Sequence, residues 1–261
     1  MTAYATTPTG ARIAYTAEGE GPRVIHVDGA FQFRAFDSET RDFLSVLADR
    51  GFTTVHFDRP GRGETVAEPP HTLDRQIEAI GALIDEVGGP VALYGSSSGG
   101  AIALAAAASG LPVSHLVLWE PPLGPESGSD GAEFLAGLRE AIATGDADRV
   151  VAYFMKDMPP EWLEGSRRSP AWPVMTGVAA SLEGDSDALA WTQSAPRSEL
   201  WRNVTAPTLV LLGEETLPIF PPAADSIVAN LPDARVERVP GSDHRWELTA
   251  LVERVEGFLR A

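Results

Sequence analysis

The sequence predicts an α/β fold: a doubly wound, mostly parallel sheet with helices on both faces and a helical insertion. Three observations predict it. Short, nearly continuous apolar runs recur along the chain: VIHVD (24–28), TTVHFD (53–58), VALYG (91–95), HLVLWE (115–120), TLVLLG (208–213) and ARVERVP (234–240). A strand covered on both faces needs such a run, because neither of its faces meets water. Helix-like segments separate the runs, and alternation of this kind is the pattern of a parallel sheet. One stretch, from about 122 to 202, breaks the alternation with helix-like segments alone.

Taken in order, the first element is an amino-terminal pair, 2–7 and 11–17, around Pro8-Thr9-Gly10. It reads as an antiparallel hairpin at the sheet edge. The segment 38–51 sets Phe43, Leu44 and Leu47 on one face and ends at Gly51. The segment 73–88 sets Ile77, Ile80 and Ile84 on one face and ends at Gly88. Glycine just past a last turn accepts the left-handed backbone that closes a helix. The third apolar run leads into the alanine-rich helix AIALAAAA. In the insertion, helices are expected near 130–143, 146–157, 170–183 and 186–194, broken by Pro159-Pro160, Pro170 and Pro173. The expected division is 1–121 with 203–261 for the core, and 122–202 for a helical cap.

The length, 261 residues, suits one large domain with an insertion. There are 37 acidic and 20 basic residues, for a formal net charge of −17, and Lys156 is the only lysine. So acidic a chain repels nucleic acid and anionic membranes. A small-molecule substrate is the expected partner, about which the charge says little. The charge itself reads as a solvated surface. The absence of cysteine excludes disulfides, thiolate nucleophiles and Cys-ligated zinc. The first residues, MTAYATTPTGARIAY, show no basic and apolar leader pattern, and AIALAAAA is too short to span a bilayer. A cytoplasmic protein is expected.

The run Gly95-Ser96-Ser97-Ser98-Gly99-Gly100 follows a strand and opens a helix. Gly-x-Ser-x-Gly in that setting is a nucleophile elbow. The turn is sharp and strained, so the serine hydroxyl stands clear of the sheet. The residues two before and two after the serine lie against backbone and must be small. Ser97 has Gly95 and Gly99 there. Ser98 has Ser96 and Gly100, a poorer set, and Ser96 would have Tyr94. Ser97 is therefore the expected nucleophile, and the alternative is a glycine-serine turn without chemistry.

A serine hydroxyl needs a base. Of the five histidines, only His244 lies late in the chain, after the last expected strand, where a loop can carry it over Ser97. His26 and His56 sit inside strand runs and His115 opens one, so they read as packed core residues. His71, in EPPHTLD, reads as a surface or helix-cap residue.

At this point the chain resembles the α/β-hydrolase superfamily over nearly its whole length. DGAFQFR (28–34) looks like the oxyanion loop, FDRPGRGET (57–65) like the Asp-x-x-Gly-x-Gly-x-Ser turn, and YGSSSGG like the elbow. PTLVLLGEE (207–215) looks like the penultimate strand and PGSDH (240–244) like the histidine loop. LVLWEPPL (116–123) is similar to a bacterial subgroup with Glu-Pro-Pro after the sixth strand. The resemblance implies a capped serine hydrolase with no metal or organic cofactor. It implies an oxyanion hole built from the backbone N–H groups of Ala30 and Ser98.

Two positions depart from the family pattern. The triad acid usually follows the penultimate strand, but Thr216 stands where that aspartate is expected. Glu120, at the end of LVLWE, is the favoured replacement, because catalytic groups collect at carboxyl ends of strands. Its other role would be to cap the Pro121-Pro122 turn. Glu215 is the second choice, and plain loop charge is its alternative. Asp28 stands where many members have histidine. A bare carboxylate there would oppose a developing oxyanion. Arg34 or Arg59 is the expected partner.

Phe31, Trp119, Phe154, Trp172 and Trp246 are the expected substrate contacts, and Phe134, Tyr153 and Met155 add to an apolar cap. Aromatic and methionine side chains line adaptable apolar pockets, although each also serves as ordinary core. The expected activity is hydrolysis of an ester, lactone or thioester of a hydrophobic small molecule. The site also permits a non-hydrolytic step such as cyclisation, a lyase reaction or acyl transfer. Binding without catalysis is the third reading.

Overall fold

The computed structural model describes residues 1–261. A nine-stranded sheet organises the chain. Its strands are β1 (Ala3–Thr6), β2 (Arg12–Glu18), β3 (Arg23–Val27), β4 (Thr53–Phe57), β5 (Val91–Ser96), β6 (Val113–Trp119), β7 (Thr208–Glu215), β8 (Ala234–Ser242) and β9 (Arg245–Trp246). Their spatial order is β1-β2-β4-β3-β5-β6-β7-β8-β9. The pairs from β4 through β8 are parallel. The β1–β2, β2–β4 and β8–β9 pairs are antiparallel. The expected edge hairpin is therefore present, and a second small hairpin closes the opposite edge.

The strands β3 to β7 carry their apolar runs because both faces are covered. One face holds the cluster that includes Ile25, Leu93, Leu116 and Leu118, packed on helices α2 (Leu73–Val87) and α3 (Ser98–Ala108). The other holds Tyr94, Val117, Trp119, Leu209 and Leu211, packed on α1 (Ser38–Asp49) and α11 (Leu248–Leu259). α1 begins where the Asp37 carboxylate accepts from the Thr40 N–H at 3.0 Å, and Gly51 at φ 87° follows its last turn. Its apolar stripe is Phe43, Leu44 and Leu47, all buried. α3 has no polar stripe. Its alanines let it lie close to the sheet with nearly every residue buried, as suits a helix apolar all round.

The chain enters β3, moves outward to β4, then crosses back to β5 on the other side of β3. At such a switch point the loops leaving the two strands part in opposite directions and open a crevice. The loop after β3 and the turn after β5 flank that crevice.

Between β6 and β7 the chain forms helices only: α4 (Asp130–Ala143), α5 (Ala147–Phe154), α6 (Pro160–Arg168), α7 (Trp172–Gly177), α8 (Leu182–Trp191) and α9 (Arg197–Leu200). Two expectations change here. Pro160 opens α6 and Pro173 sits in the first turn of α7, so neither breaks a helix. Proline suits the first turn, where its missing N–H would have no partner. The expected helix at 186–194 begins earlier, at Leu182, preceded by a short 3₁₀ turn over Ala179–Ser181. The helices share a buried cluster of Leu138, Val151, Phe154, Met155, Met175 and Leu182. No helix is long and apolar enough to cross a membrane.

Candidate active site

Ser97 stands between β5 and α3 at φ 55° and ψ −129°, a conformation that L residues avoid. Such a residue costs of order 1–3 kcal/mol, held by its surroundings. The packing explains the flanking glycines. A methyl on Gly95 would lie 2.6 Å from the Gly100 Cα, and one on Gly99 would lie 2.1 Å from the Val27 carbonyl oxygen. Ser97 is half-buried, whereas Ser96 and Ser98 are buried. Ser96 pairs with Trp119 in the sheet. The Ser98 hydroxyl donates to Asp185 Oδ1 at 2.6 Å. Of the three, Ser97 alone is partly exposed.

Glu120 follows β6 at φ 41°, and its carboxylate is nearly inaccessible. Its Oε2 lies 2.6 Å from His244 Nδ1. Its Oε1 accepts from the Gly213 N–H at 2.9 Å and from the Thr216 hydroxyl at 2.5 Å. Burial by itself would raise the Glu120 carboxyl. The hydrogen bonds from His244, Thr216 and Gly213, with the His244 charge, outweigh burial and hold it below the usual range. Glu214 and Glu215 are exposed at the end of β7. Thr216, which stands where the sequence pattern expects an aspartate, thus donates to the Glu120 carboxylate.

His244 sits in the tight β8–β9 turn, where Asp243 and His244 both have positive φ. Its ring stacks on Phe220, with centroids 4.7 Å apart and planes 8° from parallel. Its carbonyl accepts from Trp119 Nε1 at 3.4 Å. Ring, backbone and Nδ1 are thus each held, and Nε2 is left for chemistry. Phe220 escapes the sequence reading, since nothing local marks a phenylalanine as a stacking partner, and Thr216 enters it only as a vacant position, not as a donor to Glu120.

The loop after β3 carries Asp28, Gly29, Ala30 and Phe31. Asp28 is fully buried, and its partners correct the expectation of Arg34 or Arg59. His26 Nε2 lies 3.0 Å from Asp28 Oδ1, and His56 Nε2 lies 3.1 Å from Oδ2. Arg34 instead meets Asp58 at 2.9 Å and Glu64 at 2.8 Å. Arg59 donates to the backbone carbonyl of Asp28 at 2.8 Å. Burial would raise the Asp28 carboxyl, but the two histidines drive it far below the ordinary carboxylate range. Strand pairing places His26 directly beside His56, so the sheet itself builds this pair. Gly29 lies under the elbow: a methyl there would come within 2.9 Å of Ser97 Cβ. The amides of Ala30 and Ser98 make no hydrogen bond within the turns and loops.

The expected substrate contacts divide. Phe31 packs edge-on against Phe154 with centroids 5.5 Å apart, and Trp172 packs against the same helical cluster. Trp119 is a correction. Trp119 is fully buried on the far face of the sheet and meets Trp246 edge-on at 5.4 Å. The Trp119 indole N–H donates to the His244 carbonyl, so the ring packs beneath the histidine turn instead of lining open space. His71 is also buried, 6% exposed, with its ring against Gly61. A polar cleft of about 450 Å³, lined among others by Arg34, Arg41, His56 and Asp58, contains neither Ser97 nor His244. No three His, Asp or Glu side chains converge as a metal-ligating set.

The chain is similar to several known proteins. It is 29% identical to an alpha/beta hydrolase from Sphaerobacter thermophilus, with a TM-score of 0.85 over 98% of this chain and 100% of that one. An esterase, EaEST, from Exiguobacterium antarcticum has the same fold at 19% identity, with a TM-score of 0.72 and full coverage of both chains. Polyketide synthase ThaQ from Burkholderia thailandensis is 28% identical over 260 residues, which is 93% of this chain and 12% of ThaQ. The chain thus spans about an eighth of that relative's length. The model of the alpha/beta hydrolase family matches residues 24–258, the stretch that builds the parallel sheet, the elbow, Glu120 and His244, and the chain belongs to that family.

Proposed function

We propose that the protein is a serine hydrolase that cleaves an ester, lactone or thioester of a hydrophobic small molecule through an acyl-enzyme. The observation that carries this reading is the 2.6 Å contact between Glu120 and His244 Nδ1. With Nδ1–H donated to the carboxylate, Nε2 is the lone pair that accepts a proton from Ser97. Ser97 Oγ attacks the carbonyl carbon, and the carbonyl oxygen takes the negative charge. The Ala30 and Ser98 amides hold that oxygen. His244 returns the proton to the leaving group, and water then releases the acyl group by the same steps in reverse roles.

Asp28 does not oppose this chemistry, because its carboxylate is buried against the rings of His26 and His56. The helical insertion is the cap in this reading, and Phe31 and Phe154 form its apolar wall above the elbow. The similarity to part of a polyketide synthase makes a polyketide acyl group one candidate substrate.

A fluorophosphonate probe tests the reading. It is expected to label the protein at Ser97, with labelling abolished in Ser97→Ala and retained in Ser98→Ala. A wild-type protein that fails to react has no activated serine, which leaves the non-hydrolytic and binding readings. Labelling lost only in Ser98→Ala would move the nucleophile by one residue. A series of p-nitrophenyl esters of rising chain length then measures the apolar preference.

A further inference from the structure

The inserted helix α8 carries three acidic residues on alternate positions, Glu183, Asp185 and Asp187. Each ends on the core. Glu183 accepts from the His71 N–H at 3.0 Å, and Asp187 accepts from the Leu73 N–H at 2.8 Å. Asp185 does something different. It is wholly buried, and its carboxylate meets Arg59 at 2.7 Å, Arg62 at 2.5 Å and the Ser98 hydroxyl at 2.6 Å. Both arginines are also buried, 1% and 2% exposed.

The two guanidinium groups continue into the loop after β3. Arg59 Nη1 donates to the Asp28 carbonyl at 2.8 Å and approaches the Gly29 carbonyl at 3.3 Å. Arg62 Nη1 donates to the Gly29 carbonyl at 2.5 Å and to the Gln32 carbonyl at 3.0 Å. The Gly29 carbonyl and the Ala30 N–H belong to one planar trans peptide, so they point in opposite directions. Fixing that oxygen on the arginines fixes the Ala30 N–H on the other side. A cation on the carbonyl also polarises the peptide and strengthens its N–H as a donor. Through its other contact, Asp185 holds Ser98, whose amide is the second proposed donor.

We propose that Asp185 is a positioning residue for the oxyanion hole: through Arg59 and Arg62 it orients the Ala30 amide, and through the Ser98 hydroxyl it orients the Ser98 amide. This rests on the hydrolase reading. It makes the cap helix part of the device that stabilises the transition state, beyond its role as a cover. The buried carboxylate is also the only anion within reach of both arginines in this cluster. Burial would raise its pKa, but the two arginines outweigh burial and keep it ionised.

The test compares Asp185→Asn with Glu183→Gln, which loosens the same helix without touching the loop. With p-nitrophenyl butyrate, Asp185→Asn is expected to lower the acylation rate roughly 10- to 100-fold with KM within about threefold, the pattern of a lost transition-state interaction. Glu183→Gln is expected to lower the melting temperature without that loss. Equal losses in the two variants, or a folded Asp185→Asn with normal acylation, would overturn the proposal. Arg62→Lys keeps the charge but cannot bridge Gly29 and Asp185 together. It is expected to reproduce the defect, and it decides the matter if Asp185→Asn does not fold; normal acylation in it counts against the proposal. Amide hydrogen exchange over residues 28–33 gives a readout independent of catalysis. Faster exchange there in Asp185→Asn or Arg62→Lys, but not in Glu183→Gln, supports the positioning role. Unchanged exchange sinks it. A wild type inert to fluorophosphonate would refute the hydrolase reading, and the exchange comparison would still decide whether Asp185 positions the loop.

Discussion

Glu120 reaches His244 over the end of an intervening strand. Glu120 follows β6 and His244 follows β8, so β7 lies between them. Gly213 stands beneath the crossing. A methyl on Gly213 would lie 3.4 Å from Glu120 Oε1 and 3.0 Å from the Gly241 carbonyl oxygen, and the Gly213 N–H donates to the carboxylate. In the proposed triad the acid stands one strand inward of its usual place, and the Thr216 hydroxyl at that usual place donates to it.

Removing the charge of Glu120 tests this arrangement. Glu120→Gln is expected to slow acylation by about 10³- to 10⁴-fold, because a neutral amide neither holds the required tautomer nor stabilises the imidazolium. Glu215→Gln is expected to leave the rate near normal. Thr216→Val removes one hydrogen bond to a charged group and is expected to cost roughly tenfold. Burst kinetics with a p-nitrophenyl ester measure all three. A reversed order for Glu120→Gln and Glu215→Gln would reassign the acid.

The elbow makes a stability prediction. Gly99→Ala would press a methyl to 2.1 Å from the Val27 carbonyl oxygen and 2.6 Å from that of Asp28. Neither β3 nor α3 can yield without disturbing the core, so the cost is at least the 1–3 kcal/mol typical of overpacking. Gly100→Ala would bring its methyl to 3.0 Å from Pro121 Cβ, a contact that a small shift relieves. Thermal unfolding should therefore show a much larger loss for Gly99→Ala. Similar losses in the two would weaken the case for Ser97 over Ser98.

Phe220 is expected to act through the orientation of His244. Its ring lies parallel to the imidazole at 4.7 Å. Leucine would preserve much of the buried volume and lose the stacking, an effect of about 0.5–1.5 kcal/mol. Phe220→Leu should lower kcat roughly 2- to 10-fold with little change in KM. A change confined to KM would instead make Phe220 a wall of the substrate site.

The parts of this molecule legible in the sequence are those set by neighbours along the chain. The apolar runs of β3 to β7 reflect burial on both faces, and the glycines around Ser97 reflect backbone contact within one turn. Glu120 was visible because a strand end places it. The remaining relationships join distant segments through charges that look like any surface charge. Asp28 meets histidines on two strands, and Asp185 meets arginines 126 and 123 residues away. Nothing in DRPGRGE marks its arginines as buried. Trp119 ends β6 and turns its indole N–H onto the His244 carbonyl, a contact between segments 125 residues apart that nothing local marks.

The Asp28 and His56 pair sets how stability should change with pH. His56 also faces His26, Asp37 and Asp58. Burial would lower the His56 pKa, but the charge and hydrogen bond of Asp28, with Asp37 and Asp58, raise it. A histidine whose folded value is raised binds its proton more tightly when folded. Its contribution is complete below the unfolded value, about 6.5, and is lost as pH rises through the folded value. Asp28 is lowered, so its contribution is complete above about 4 and is lost as pH falls toward its folded value. In His56→Gln the first of these disappears. The melting temperature of wild type should exceed that of His56→Gln most between these limits, and the gap should narrow as pH rises through the raised His56 value. Melting curves from pH 5 to 9 measure the gap, and a constant difference across that range would show that His56 is not a protonated partner of Asp28.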